Sequence, residues 1–377
     1  MRIGINALYS ISSGVGGMET YLKNIITCIL RSDKENYYVI FANKKNYESF
    51  NIEQNNCEKV LCLVKKGLGP RKFFWEQCIL PFQVAKNKID ILFSPAYISP
   101  AFLSCKSVVT IHCMKYSHHP EDFDKIILPY LNLFIPLSAR RSDRIITVSH
   151  YTKSELVKNL NLNDKKVSVI YYGVAREFSP DLGFDVKNEL RHTYGIKDRY
   201  ILSVAALKSH KNVLSVIKAF SVLKKKYGLE HKLVLVGQGR KKLSGINEFV
   251  SELSLESDVL FVGGVPNEKL APLYCGADLF VFLSLYESFG MPLTEAMACG
   301  TPVISSNRAA MPEIVGDAGI LVDPYSIDEI AFQMNRVLSD KQLRKELIEM
   351  GLERVKIFSW DKVVQRLLSV FYETVGN

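Results

Sequence analysis

The chain has 377 residues, 47% of them hydrophobic and 23% charged, with a formal net charge of +9. That length is a prior for two ordinary domains, and the apolar content excludes a disordered chain. No apolar run reaches the length of a membrane span, and the eight cysteines show neither CxxC pairing nor metal-ligand spacing, so reduced thiols in a cytoplasmic protein are expected. The opening Met1-Arg2-Ile3-Gly4-Ile5-Asn6 reads as a first strand rather than a signal peptide. Apolar runs then alternate with helical patterns. Strands are predicted over 2–7, 37–42, 59–64, 89–94, 107–111, 144–148 and 167–170, with helices between them, one over 19–30. The loop-like stretch 171–180 breaks this alternation and reads as an interdomain connection. Strands resume over 200–205, 232–236, 259–262, 279–282, 302–305 and 319–321. Residues 360–375 carry apolar side chains at helical spacing and are expected to pack back across the domain junction. The pattern predicts an α/β protein of two Rossmann-like domains with ligand in the cleft between them, beyond the carboxyl ends of the strands.

Charge is unevenly distributed. Residues 1–175 hold 23 Lys/Arg against 14 Asp/Glu, and the remainder holds 25 of each. An excess confined to one half suggests that this half meets an anionic surface. No nucleic-acid-reading motif is present and the aromatics are not interleaved with the basic clusters, so a membrane is the preferred partner. A solvated basic face is the competing reading.

Four signals carry chemistry, all placed after predicted strands. Ser13-Gly14-Val15-Gly16-Gly17-Met18-Glu19 precedes a helix; its glycines let backbone approach a phosphate, though it also reads as a tight turn. His112 follows the run 107–111, where α/β sites are built, although a lone histidine is more often structural. Lys211, in Lys208-Ser209-His210-Lys211-Asn212, stands where a cation faces phosphate, or solvent. The fourth is the stretch from Glu287 to Glu295, Glu-Ser-Phe-Gly-Met-Pro-Leu-Thr-Glu. Pro292 suits a first helical position, so a helix should begin there, with free N–H groups from Gly290 to Leu293 forming an anion site. Two carboxylates beside an anion site suit a ligand that also donates hydroxyls, such as a nucleotide sugar. A surface loop whose Glu295 merely complements a helix dipole is the alternative.

With these residues the chain resembles the retaining glycosyltransferases of family 4, which have the two-domain GT-B fold. The resemblance spans the glycine loop, Trp75-Glu76-Gln77 with Leu80-Pro81, Ser94-Pro95, Ile111-His112, Thr147-Val148-Ser149 and Tyr172-Gly173-Val174. It continues through Lys211-Asn212, Gly237-Gln238-Gly239, the Glu287–Glu295 stretch with Ala296, and Phe358-Ser359-Trp360. It implies an acceptor-binding domain over 1–175, a nucleotide-sugar-binding domain over 176–358 and a returning helix over 359–377. Glu287 would hold donor-sugar hydroxyls, with Phe289, Gly290, Met291, Pro292 and Leu293 at the sugar and diphosphate. Glu295 would bind the ribose, Lys211 would neutralise the diphosphate, Gly16 and Gly17 would close over it, and Val265 beside Gly264 would lie near the nucleobase. His112 would contact the donor sugar near the reacting carbon.

Two positions depart from the family pattern. His210 stands where an arginine is usual, so diphosphate stabilisation would depend on pH or fall to Lys208; Cys113 stands where an aspartate is frequent. The expected reaction moves a sugar, with retention, from a nucleoside-diphosphate sugar to an acceptor hydroxyl that is lipid-linked or part of an oligosaccharide. It would need no metal or other cofactor. Asp122-Phe123-Asp124 matches a DxD string but follows no apolar strand. GDP-mannose and UDP-sugars are both open as donors. The site would be cytoplasmic, on the inner face of the plasma membrane, with no nucleic-acid partner. The alternatives are a non-catalytic nucleotide-sugar-binding protein or a nucleotide-sugar epimerase on the same architecture.

Overall fold

The computed structural model describes residues 1–9, 17–50, 54–64, 69–182, 185–238 and 240–376. It divides into two compact units, Met1–Gly173 with Trp360–Asn377, and Val174–Ser359. The expected boundaries lay one or two residues away. The shift has a local cause: Val174 donates its N–H to Phe358 O at 2.8 Å and bridges to Ser359, so both belong to the second unit.

The first unit contains a seven-stranded parallel sheet. Its strands are β1 (Arg2–Ala7), β2 (Tyr37–Ala42), β3 (Cys57–Leu61), β4 (Ile91–Ser94), β5 (Lys106–Thr110), β6 (Arg144–Thr147) and β7 (Val167–Val169), in the order β3-β2-β1-β4-β5-β6-β7. Central strands such as β4 are buried at every position, because helices cover both faces of a parallel sheet; hence the unbroken apolar runs. β3 begins and ends earlier than the predicted 59–64. Its register is set by β2, with Tyr38 opposite Cys57 and Ala42 opposite Leu61, and beyond Ala42 there is no partner strand to extend it.

The helix Trp360–Val375 belongs to this first unit, where it packs against the helix Gly17–Ser32. Phe371 meets Phe93 of β4 with ring centroids 5.4 Å apart, and Asn36 donates to the Tyr372 hydroxyl at 2.8 Å. Gly173 makes the return possible, since a Cβ there would lie 2.5 Å from Cγ of Trp360.

The second unit has six parallel strands: β8 (Tyr200–Val204), β9 (Lys232–Val236), β10 (Val259–Gly263), β11 (Leu279–Phe282), β12 (Val303–Ser306) and β13 (Ile320–Val322). They run in the order β10-β9-β8-β11-β12-β13. This is the doubly wound order 3-2-1-4-5-6, which reverses between β8 and β11. The loops leaving these two strands diverge there and open a crevice for ligand.

Candidate functional site

Lys211 and Glu287 sit on the two loops that flank this switch point. After β8 the chain makes a single turn, Ser209–Lys211, and Asn212 then takes a left-handed conformation (φ 53°) that starts the helix Val213–Tyr227. Asparagine tolerates this conformation, and its side chain is anchored by donating to Pro324 O at 3.0 Å. The turn aims the Lys211 ammonium at the Glu287 carboxylate, with which it forms a salt bridge. Both side chains are partly exposed, at 19% and 17%, so the pair faces a place a ligand can enter.

Ser284 binds the two loops together. Its hydroxyl lies 3.1 Å from His210 O and 3.2 Å from Glu287 Oε1, and Leu285 donates its N–H to His210 O at 2.7 Å. Ser306 at the end of β12 donates to Ser284 O at 2.5 Å. The His210 side chain, in the middle of the turn that presents Lys211, is buried.

The helix after the Glu287 loop runs Met291–Ala298, one residue earlier than its proline suggested. Gly290 caps it in the left-handed region (φ 91°), where glycine is strongly favoured. The expected row of free N–H groups from Gly290 to Leu293 is shorter in the structure. Pro292 has none, and Leu293 donates its own to Gly290 O at 2.9 Å. Gly290 and Met291 N–H meet no backbone carbonyl among the described residues, and these two carry the positive end of the helix dipole.

The sequence-picked residues of this loop divide by burial. Met291 and Pro292 are half-buried; Phe289, Leu293 and Val265 are buried core residues, with Phe289 edge-on to Phe358 at 5.4 Å. Glu295, one turn into the helix, is also buried and accepts a hydrogen bond from the Tyr274 hydroxyl at 2.8 Å. Burial pushes its carboxyl up to about 7; the Tyr274 hydrogen bond opposes this and the charge of Glu177 adds to it.

In the first unit, His112 follows β5 and is buried with both ring nitrogens engaged. Nδ1 lies 2.6 Å from the Tyr172 hydroxyl and Nε2 lies 2.7 Å from Pro95 O. Since the carbonyl can only accept, Nε2 carries the proton and Nδ1 accepts from Tyr172. The rings of Tyr21, Tyr97 and Tyr172 surround it. Burial lowers its pKa to about 4, partly offset by the Pro95 hydrogen bond, so the imidazole is neutral at physiological pH. Cys113 lies beside it, with Sγ 2.9 Å from the Tyr97 hydroxyl.

The segment Trp75-Glu76-Gln77 forms a π-helical turn with an internal role. Glu76 is buried, paired with Lys72 at 3.1 Å and with Asn6 of β1 at 2.7 Å. Gln77 reaches Ser99 O and Ala101 N. The DxD string is likewise occupied: Asp122 pairs with Lys115 at 2.7 Å, and Asp124 accepts from Ile126 N at 2.7 Å. Among the described residues no group of three or more potential metal-binding side chains occurs. Gly16 and Gly239 lie outside the described residues, and Gly17 is the first residue of its helix. Sequence reasoning missed Ser284 and Tyr274. The Ser-x-x-Glu spacing of 284 and 287 is the one signal that pointed to the first.

Two doubly wound parallel sheets, one bearing Lys211 and Glu287 on the loops at its switch point, are the architecture of the GT-B proteins. Residues 15–178 match the profile of Glycosyltransferase Family 4, and residues 186–354 match that of Glycosyl transferases group 1. The chain is a glycosyltransferase and belongs to the family that these two domains make up. It is 27% identical over 304 residues to the O-antigen chain mannosyltransferase B of Escherichia coli, covering 81% of this chain and 78% of that protein. It is 30% identical over 256 residues to the N-acetyl-alpha-D-glucosaminyl L-malate synthase of Bacillus anthracis, covering 66% and 64%. A glycosyltransferase structure from Rickettsia africae ESF-5 superposes with a TM-score of 0.76 at 17% identity, over 100% of this chain and 99% of that one. At that identity the likeness speaks for the fold.

Proposed function

We propose that the protein transfers a hexose, with retained anomeric configuration, from a nucleoside-diphosphate sugar to a hydroxyl of a lipid-linked or polysaccharide acceptor during cell-surface glycan synthesis. The observation that carries this reading is the Lys211–Glu287 salt bridge at the switch point. Each partner is a ready site for one part of the donor: ammonium for diphosphate, carboxylate for sugar hydroxyls. Without donor the two neutralise each other. A donor exchanges that contact for two charge-assisted ones.

On this reading Gly290 and Met291 N–H share the diphosphate charge with Lys211, and Glu295 accepts from the ribose. The departing diphosphate takes the acceptor proton on the same face of the sugar. No protein nucleophile is required, and the stabilising charges are fixed in place beforehand. His112, in the first unit, is neutral and held at both nitrogens by Pro95 O and the Tyr172 hydroxyl, so it does not act as an acid. No metal takes part. The similarity to a mannosyltransferase named for O-antigen chains favours GDP-mannose and a surface polysaccharide; the N-acetylglucosaminyl relative keeps UDP-sugars open.

Among the described residues no helix is long and apolar enough to cross a membrane. The outer face of residues 70–86 exposes Phe74, Cys78 and Phe82 between Arg71 and Lys86. Such a face suits the surface of an anionic bilayer. The deciding experiment is a transfer assay with NMR of the product, run with chelator present. An α-linked product from an α-linked donor is expected, and Lys211→Ala should lower kcat by roughly 10²–10³-fold. An inverted product, or unchanged turnover in the variant, contradicts the reading.

A further inference from the structure

Glu295 is buried, yet its two oxygens have different surroundings. Oε2 accepts from the Tyr274 hydroxyl at 2.8 Å, whereas Oε1 takes no hydrogen bond among the described residues. Tyr274 is itself held from several sides. Its ring is fully buried, edge-on to Phe280 at 5.3 Å and to Phe178 at 5.9 Å, and its carbonyl accepts from Thr301 Oγ1 at 2.6 Å. A tyrosine locked in this way has one place to put its proton.

We propose that Tyr274 is a positioning residue for donor binding: its hydroxyl holds Oε2 of Glu295, favours the carboxylate over the neutral acid, and leaves Oε1 for the ribose hydroxyls. This rests on the reading of Glu295 as the ribose ligand. The argument is one of competition between named groups. Burial favours the neutral acid, and the negative charge of Glu177 favours it further; the Tyr274 O–H favours the carboxylate. The thiol of Cys299, just past the end of the same helix, also feels the Glu295 charge, but it donates to Ala271 O at 3.9 Å and not to the carboxylate. Among these neighbours Tyr274 is the group that directly stabilises the ionised form. A neutral acid at this position is the poorer acceptor, because one of its oxygens becomes a donor.

The test uses the full chain with GDP and UDP as probes, each titrated calorimetrically between pH 6 and 9. Wild-type protein, Tyr274→Phe and Glu295→Gln are compared. Wild-type affinity for the nucleotide that binds should rise with pH, with a midpoint near 7. In Tyr274→Phe, which keeps the ring and its packing, the midpoint should move up by about one unit and affinity at pH 7 should fall about 5-fold, recovering by pH 9. Glu295→Gln should show no such pH dependence. The corresponding 2′,3′-dideoxynucleotide, which lacks the ribose hydroxyls, should keep in wild-type protein only the pH dependence that its own terminal phosphate sets, about pH 6, and this comparison needs no variant to fold. An unshifted midpoint in Tyr274→Phe overturns the role of Tyr274 while leaving the donor site standing. Equal pH dependence for nucleotide and dideoxynucleotide does the same. Absence of binding to wild-type protein by either nucleotide at any pH overturns the donor reading, and this proposal with it.

Discussion

Lys211, Glu287 and Glu295 solve different electrostatic problems. Lys211 and Glu287 are partly exposed and satisfy each other, so neither needs a ligand to be tolerated. Glu295 has no cation beside it among the groups that set its ionisation; a hydroxyl and another carboxylate act on it instead. Its pKa is raised from an ordinary 4.5 to about 7, so folding favours its protonated form. The stability it allows is therefore fully present below pH 4.5 and is lost as pH rises through about 7. Glu295→Gln should be more stable than wild type at pH 8 by roughly 3 kcal/mol, the linkage value of about 2.5 pH units, and equal to it near pH 4. Urea unfolding at the two pH values measures this. A difference independent of pH would mean that folding leaves the Glu295 pKa at its unfolded value. The same arithmetic runs the other way for His112, whose neutral form is favoured: its contribution is kept above pH 6.5 and is lost as pH falls towards 4.

At the scale of elements, the helix Met291–Ala298 depends on the left-handed turn at Gly290. A side chain there must adopt φ 91°, and its Cβ would come within 3.2 Å of the Leu293 side chain. Gly290→Ala should cost about 1–2 kcal/mol in unfolding free energy and weaken nucleotide-sugar binding by moving the Met291 N–H. Unchanged values of both would remove this turn from the account. The turn was legible in sequence because Gly290, Pro292 and Gly300 are local signals. So were the strands, whose apolar runs reflect burial on both faces; β3 was misplaced because its limits are fixed by β2, not by its own residues. Trp75-Glu76-Gln77 was noticed as a pattern without its reason, since the pairing of Glu76 with Asn6 spans 70 residues. Ser284 and Tyr274 escaped for a related cause. Each acts on a residue that only the order β8-β11 or the packing of two helices brings near, and neither leaves a periodic trace.

For the molecule as a whole, the excess positive charge of residues 1–175 coincides with exposed Phe74, Phe82 and Phe102, the last beneath the Arg141 guanidinium at 5.1 Å. The proposed membrane-facing surface would combine the two, charge for attraction and aromatic side chains for insertion. The full chain should bind vesicles rich in anionic lipid at about 20 mM salt and release them near 0.5 M, and Phe74→Ser with Phe82→Ser should weaken binding without altering donor affinity. Vesicles that sediment alone at low salt would leave the charge excess without this partner. The central claim, that the second unit is a nucleotide-sugar site built on Lys211, Glu287 and Glu295, is tested most directly by thermal unfolding with a panel of GDP-, UDP- and dTDP-sugars. A ligand that binds the folded chain raises its midpoint by mass action. The account predicts that one nucleotide class raises the midpoint in a concentration-dependent way, and that Lys211→Ala and Glu287→Gln each reduce the rise. If no nucleotide sugar shifts the midpoint, or if both variants respond as wild type does, the site is not where these residues place it.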